Sequence, residues 1–167
     1  MTAPNVNITS TQALAGGVIG YSNGNVNISN SSVTASGKIS AGQSAGGILG
    51  AVAYGNTVNA SNTTMTFVGM TVNGNTASGI LPDTNGGAVT LDNVKVLHSS
   101  VDDKTLTNNI ISSNVHAGGL LGVVSGGSAT INNCFVGNEG TDGSSMAIQG
   151  KKYVGGVVGY NNGGTIT

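Results

Sequence analysis

The stretch Ala117-Gly-Gly-Leu-Leu-Gly122 decides the fold, because the chain repeats it. Its counterparts are Ala15-Gly-Gly-Val-Ile-Gly20, Ala45-Gly-Gly-Ile-Leu-Gly50, Ala77-Ser-Gly-Ile-Leu-Pro82 and Val154-Gly-Gly-Val-Val-Gly159. Their first residues lie 30, 32, 40 and 37 positions apart. A period of about 20–50 residues is the signature of a repeat architecture, in which each unit is one supersecondary element that cannot bury its apolar face alone.

A second block follows turn signals such as Ser22-Asn-Gly, Asn85-Gly-Gly and Ser125-Gly-Gly. Its copies are Asn25-Val-Asn-Ile-Ser-Asn-Ser-Ser-Val33, Thr57-Val-Asn-Ala-Ser-Asn-Thr-Thr-Met65, Ala88-Val-Thr-Leu-Asp-Asn-Val-Lys-Val96 and Ser128-Ala-Thr-Ile-Asn-Asn-Cys-Phe-Val136. Each first half alternates apolar and polar residues, the pattern of a half-buried strand. Val26 and Ile28, Val58 and Ala60, Val89 and Leu91, and Ala129 and Ile131 therefore point inward, and Val33, Met65, Val96 and Val136 resume the inward row. Between them every copy carries Asn, at Asn30, Asn62, Asn93 and Asn133. Asn is depleted in strands, so its recurrence predicts a turn-forming internal ladder of amides bonded from unit to unit.

Short strands with one apolar face, repeated in order, must stack on their neighbours and pair in parallel. The expected fold is all-β: a parallel β-solenoid of about five Gly-rich units forming a single domain over residues 1–167. The adjacent apolar pairs Val18/Ile19, Ile48/Leu49, Ile80/Leu81, Leu120/Leu121 and Val157/Val158 complicate a flat strand, which turns only one of each pair inward. Either the Gly-rich bend buries both, or one row is an exposed apolar stripe.

Composition narrows the function. The chain has 167 residues, 29 of them Gly, with 7% charged residues and a net charge of −1. Five lysines and no arginine do not supply the phosphate contacts of a duplex nucleic-acid binder, and no apolar run is long enough for a membrane span. The lone Cys134 is expected to be a small buried apolar residue. The start, Met1-Thr-Ala-Pro-Asn, lacks the basic and apolar regions of a signal peptide. Most charge falls in two expected external insertions, residues 97–116 and 137–153, which hold Asp102, Asp103, Lys104, Glu139, Asp142, Lys151 and Lys152. His98 and His116, in or beside the first of these, are the only histidines for acid–base chemistry. Asn138, Glu139 and Asp142 form a Gly-flanked polar loop with oxygen ligands of the kind Ca²⁺ takes, read here as an ordinary turn. No cofactor, catalytic group or metal site is expected. Asn-x-Ser/Thr occurs at Asn7, Asn27, Asn30, Asn59 and Asn62; Asn27 and Asn59 are outward, in register, and open to N-glycosylation in a secreted eukaryotic chain.

Val154-Gly-Gly-Val-Val-Gly-Tyr-Asn-Asn-Gly-Gly-Thr-Ile-Thr167 and Ala15-Gly-Gly-Val-Ile-Gly-Tyr-Ser-Asn-Gly24 resemble the GLUG motif, which occurs in tandem on bacterial surface proteins and adhesins. The third unit departs from it at Ser78 and Pro82. The resemblance implies a β-helical, extracellular or cell-surface, non-catalytic segment. Val6-Asn-Ile-Thr-Ser-Thr-Gln-Ala13 reads as a copy of Val26–Val33, so that the chain is expected both to begin and to end inside the second block. That makes Val6, Asn7, Ile8, Thr165, Ile166 and Thr167 candidate end-to-end contacts, since an uncapped parallel edge pairs readily. The expected function is a structural or adhesive module, self-associating into a fibre or forming part of a longer repeat adhesin. Its expected partners are itself, neighbouring repeats or surface glycans. An ice-binding face, hinted at by Thr63-Thr-Met-Thr66 and Thr165-Ile-Thr167, is the alternative, ahead of a polysaccharide-binding or polysaccharide-cleaving β-helix.

Overall fold

The alternating strands are too short and too one-sided to stand alone, and each finds its partner in the next unit of the chain. The computed structural model describes residues 2–99, 109–137 and 146–167, and these contain strands, turns and no helix. The first layer holds β1 (Thr2–Ser10) and β2 (Leu14–Gly16); the second holds β3 (Val26–Ser29), β4 (Ser32–Ala41) and β5 (Ser44–Gly46). The third holds β6 (Val58–Ser78) and β7 (Leu81–Asp83), and the fourth β8 (Ala88–Ser99), β9 (Asn109–Gly118) and β10 (Leu121–Ser125). The fifth holds β11 (Ser128–Asn132), β12 (Phe135–Gly137), β13 (Met146–Gly150), β14 (Tyr153–Gly155) and β15 (Val158–Asn162), and β16 (Thr165–Ile166) opens a sixth. All ladders between these strands are parallel, in a 13-stranded sheet whose main path is β1-β4-β6-β8-β11-β16 and a three-stranded sheet β15-β10-β7.

Pairing in register turns the repeats into columns. One runs Val26, Val58, Val89, Ala129, Ile166; another runs Ile8, Ile39, Val72, Ile111, Ile148. A third runs Ala15, Ala45, Ala77, Ala117, Val154 along the Gly-rich block. Between the end layers these side chains are fully buried and join one continuous core with Met65, Phe67, Met70 and Leu91. Each fully buried side chain of this size contributes about 1.5–3 kcal/mol relative to exposure. The column Ala35, Phe67, His98 shows how size is balanced, with a small residue beneath the one buried phenyl ring.

Two kinds of corner close each layer. At Asn30, Asn62, Asn93 and Asn133 the backbone is left-handed, with φ of 48°, 47°, 52° and 51°. Asn enters this region more readily than other residues with a Cβ. Asn62 Nδ2 donates to Asn30 Oδ1 at 3.2 Å and Asn93 Nδ2 donates to Asn62 Oδ1 at 2.9 Å, whereas Asn133 Nδ2 reaches Asp92 Oδ1 at 3.5 Å. These amides are exposed, so the ladder runs up an outer edge rather than inside the core. The expectation of an internal ladder is corrected accordingly: the left-handed turn frees the side chain to face water while the neighbouring apolar residues turn in.

The second corner is the Gly-Gly pair. A Cβ on Gly79 would lie 2.3 Å from the carbonyl oxygen of Gly119 in the next layer, and one on Gly47 would lie 2.2 Å from that of Gly79. The layers touch backbone to backbone here, which only Gly permits. The bend that follows lets two successive amides share one carbonyl: Leu120 N and Leu121 N both donate to Val157 O, at 2.9 and 3.1 Å. Both members of Ile48/Leu49, Ile80/Leu81 and Leu120/Leu121 are buried as a result.

Two expectations about the ends and insertions change. Val6 pairs with Gly37 and Ile8 with Ile39, so the first strand matches the segment after the Asn turn and not Val26–Val33. The Val-x-Ile spacing misled, because the same alternation serves both faces. Residues 97–99 belong to β8, and 109–116 belong to β9, paired with β6; 146–150 and 153 are likewise in strands. The extra length therefore narrows to 100–108 and 138–145. Those segments, with Asp102, Asp103, Lys104, Asn138, Glu139 and Asp142, lie outside the described residues.

Replacing Asn62 by Ala is expected to cost about 1–2 kcal/mol for a Cβ held left-handed without amide support, and to release both ladder contacts. Asn62→Gly keeps the turn and loses only the ladder. Urea unfolding should rank wild type above Gly and Gly above Ala; an Ala variant equal to wild type would remove the turn argument.

Candidate functional site

Several of the exposed large apolar side chains lie in the outermost layers, although Ala15 and Val26, the first in their columns, are buried and Tyr54, after β5, is the most exposed of all. In the column Val18, Ile48, Ile80, Leu120, Val157 the outermost residues are 46% and 44% exposed, against 1% at Ile48 and none at Ile80 and Leu120. Val154 and Ile166 are also exposed, although Ala117 and Ala129 beneath them are buried. The lower end thus presents Val18 and Tyr21, with the half-buried Ile8 and Ile19; the upper end presents Tyr153, Val154, Val157 and Ile166.

On the lower end, a groove of about 370 Å³ is lined by Val18, Ile19, Ile28, Val33 and Ile48 together with the polar run Asn30-Ser31-Ser32. It lies under β3, where the sheet path offers no strand beneath. Of the sequence-derived end contacts, Val6, Asn7 and Ile8 lie in β1 at one edge, and Thr165, Ile166 and Thr167 at the other. They sit on opposite ends of the stack and are not brought together within one chain.

The upper end also carries an aromatic cluster. His116 and Tyr153 are paired across β9 and β14, and Tyr160 on β15 joins them across the Gly corner. The ring centroids are 5.5 Å apart for His116 and Tyr153, 5.1 Å for His116 and Tyr160, and 4.5 Å for the two tyrosines, all within 12° of parallel. Such offset stacks add about 0.5–1.5 kcal/mol beyond the area they bury. Burial pushes the His116 imidazole below its ordinary range, the Lys152 ammonium adds to this, and Asp83 opposes it. Its Nδ1 is buried without a hydrogen-bond partner. This cluster was readable in the sequence, because aligning Ala117 with Val154 places His116 opposite Tyr153 one position earlier; what hid it is that Tyr160 comes from the other side of the corner.

Other singled-out residues have structural surroundings. His98 is buried in the Ala35 and Phe67 column, away from the surface expected for it. Asp83 accepts a hydrogen bond from Ser125 Oγ and another from Asn85 N at 2.9 Å, which fixes the turn after β7. Cys134 is half-buried, not fully buried; burial raises its thiol pKa, and Sγ–H is within 3.1 Å of Asn132 O. Asn27 and Asn59 are exposed on the outer face, with Asn59 Nδ2 donating to Asn27 Oδ1 at 3.0 Å. Among the described residues, no group of three or more His, Cys, Asp or Glu side chains is placed to hold a metal ion, and no helix is long and apolar enough to cross a membrane.

A lowered His116 pKa predicts that the fold loses stability in acid. A histidine whose folded pKa lies below its unfolded value of 6.5 contributes stability that is fully present above pH 6.5 and is lost as pH falls through the folded pKa. Unfolding free energies measured from pH 8 to pH 5 are expected to fall more steeply for wild type than for His116→Phe. Equal slopes would show that His116 is not titrating against the fold.

Neither a known protein family, nor a curated protein, nor a solved structure matches the chain.

Proposed function

We propose that this chain is a structural and adhesive module of an extracellular or cell-surface protein, non-catalytic, built as a parallel β-solenoid of about five Gly-rich units. Its ends take up a further layer, supplied by a neighbouring repeat or by another copy, and so extend it into a fibre or a longer adhesin. The carrying observation is the column Val18, Ile48, Ile80, Leu120, Val157, which is sealed in its three middle members and exposed in its two outer ones. An apolar parallel edge is a template for another strand, and repeat proteins bury such faces by stacking.

Three further features support the reading. The two blocks that most resemble the GLUG motif of bacterial surface proteins, at residues 15–24 and 154–167, lie in the outermost layers. One outward column, Asn27, Asn59, Thr90, Thr130, is neutral and hydrogen-bonding, a surface suited to water and to glycan hydroxyls. Asn27 and Asn59 stand outward in register, the arrangement that glycosylation in a secreted eukaryotic chain would need.

Water ordering by hydroxyl columns is a second reading. Thr90 and Thr130 align, and Thr167 donates its backbone N–H to Ala129 O in the layer beneath. The lower half of that column is Asn, and Thr63, part of the original hint, is buried.

Protease treatment of intact source cells, followed by mass spectrometry, tests the main reading. Peptides from this chain are expected among those released; their recovery only after lysis would overturn it. Thermal hysteresis of the purified chain separates the second reading, with a value near zero expected.

A further inference from the structure

We propose that Tyr153 and Tyr160 form an oxidative cross-linking site, where hydrogen peroxide acting through a haem peroxidase joins the two rings by an intramolecular carbon–carbon bond, a dityrosine, across the Gly155-Gly156 corner. Both residues belong to one layer, Tyr153 in β14 and Tyr160 in β15. The site needs neither an open end of the stack nor a second copy of the chain, and it does not rest on the adhesive reading above.

The corner brings the rings together. A Cβ on Gly155 would strike the carbonyl oxygen of Val158, so the chain doubles back more tightly than a residue with a side chain permits. Tyr153 before the bend and Tyr160 after it then meet outside the buried core, with ring centroids 4.5 Å apart and planes 12° from parallel. The His116 ring, in the layer beneath, lies 5.5 Å from Tyr153 and 5.1 Å from Tyr160, nearly parallel to both, and holds the pair flat. Tyr21 and Tyr54, the other two tyrosines, follow β2 and β5 and stack on no ring among the described residues.

Loss of one electron and the phenolic proton turns a tyrosine into a phenoxyl radical, whose unpaired electron is shared with the ring carbons beside the C–O carbon. Two such radicals couple at these carbons. Each ring then passes the hydrogen of its coupled carbon to its own oxygen, by way of water, and both phenols are restored. In sum the pair gives up two electrons and two protons, which one hydrogen peroxide takes up to become two waters. Radicals on separate molecules must first meet, whereas an offset stack already sets carbons of one ring over those of the other, and fixing two reactants side by side makes their reaction unimolecular. The bond ties β14 to β15. It is a covalent staple open to a chain whose single cysteine, Cys134, excludes a disulfide within it.

Treating the dilute purified chain with hydrogen peroxide and a haem peroxidase tests the proposal. No lysine or arginine lies between Tyr153 and Tyr160, so trypsin, cutting after Lys152, leaves both tyrosines in the peptide of residues 153–167. That peptide holds no Met, Cys or His, and its mass therefore reports on the tyrosines. It is expected to lose the mass of two hydrogens and to carry dityrosine fluorescence, while the chain stays at monomer mass. Tyr153→Phe and Tyr160→Phe each keep a ring and remove a phenol, and each should abolish both signals. Tyr54→Phe, which removes the most exposed of the four phenols, should leave both unchanged. A 153–167 peptide of unaltered mass would overturn the site, as would fluorescence confined to covalent dimers or a yield that Tyr160→Phe does not lower.

Discussion

Parallel backbone pairing between successive layers is the constraint on which the rest of this structure depends. Once a strand must bond to its counterpart in the next unit, side chains come to lie in columns about 4.8 Å apart, and every choice along the sequence is made once per layer. The Gly corner is the sharpest case. Gly47, Gly79 and Gly119 follow one another because a Cβ on either of the first two would strike the carbonyl oxygen of the next. The Asn corner obeys the same rule with a different solution: a left-handed residue that also bonds along its own column.

The columns explain how much was legible in the sequence. The copies of the second block pair in the register their sequences predict, Val26 on Val58 on Val89, because period two and a marked Asn fix both face and position. The Gly-rich block does likewise. The start was misplaced because Val6-Asn-Ile8 carries the alternation of a strand but no Asn turn in its proper place, and alternation alone does not say which face of the unit a strand builds. Recurrence of Asn reports a shared conformation and not burial, which is why the ladder it predicts runs outside the core. His98 falls at the start of the charge-bearing stretch, yet two residues beyond Val96 the alternation returns it to the core. The aromatic cluster was hidden for the opposite reason: Tyr160 meets His116 across a bend, and period-two reasoning stops at bends.

Exposure at the ends is the counterpart of burial between them. Val18 and Val157 are exposed by position and not by kind, since Ile48, Ile80 and Leu120 are more apolar still and fully sealed. The column Tyr21, Ala51, Asp83, Val123, Tyr160 differs, because its first and fifth members are aromatic and its three middle ones are not.

Low charge follows from the same geometry. A charged residue repeated in a column would face its like at about one strand spacing, a repulsion of about 1 kcal/mol in water and about 4 kcal/mol at the effective dielectric of a protein surface. The strand charges are placed as this requires. Lys38 lies between Asn7 and Thr71, Lys95 between Thr64 and Phe135, Asp92 between Ser61 and Asn132, and Asp83 beside Val123. None of these four has a like charge directly above or below it. Columns filled by Asn, Ser and Thr avoid the repulsion and add hydrogen bonds, as Asn27 and Asn59 do. Stacking in register therefore favours neutral polar outer faces, and among the described residues the charges are confined to single layers and bends.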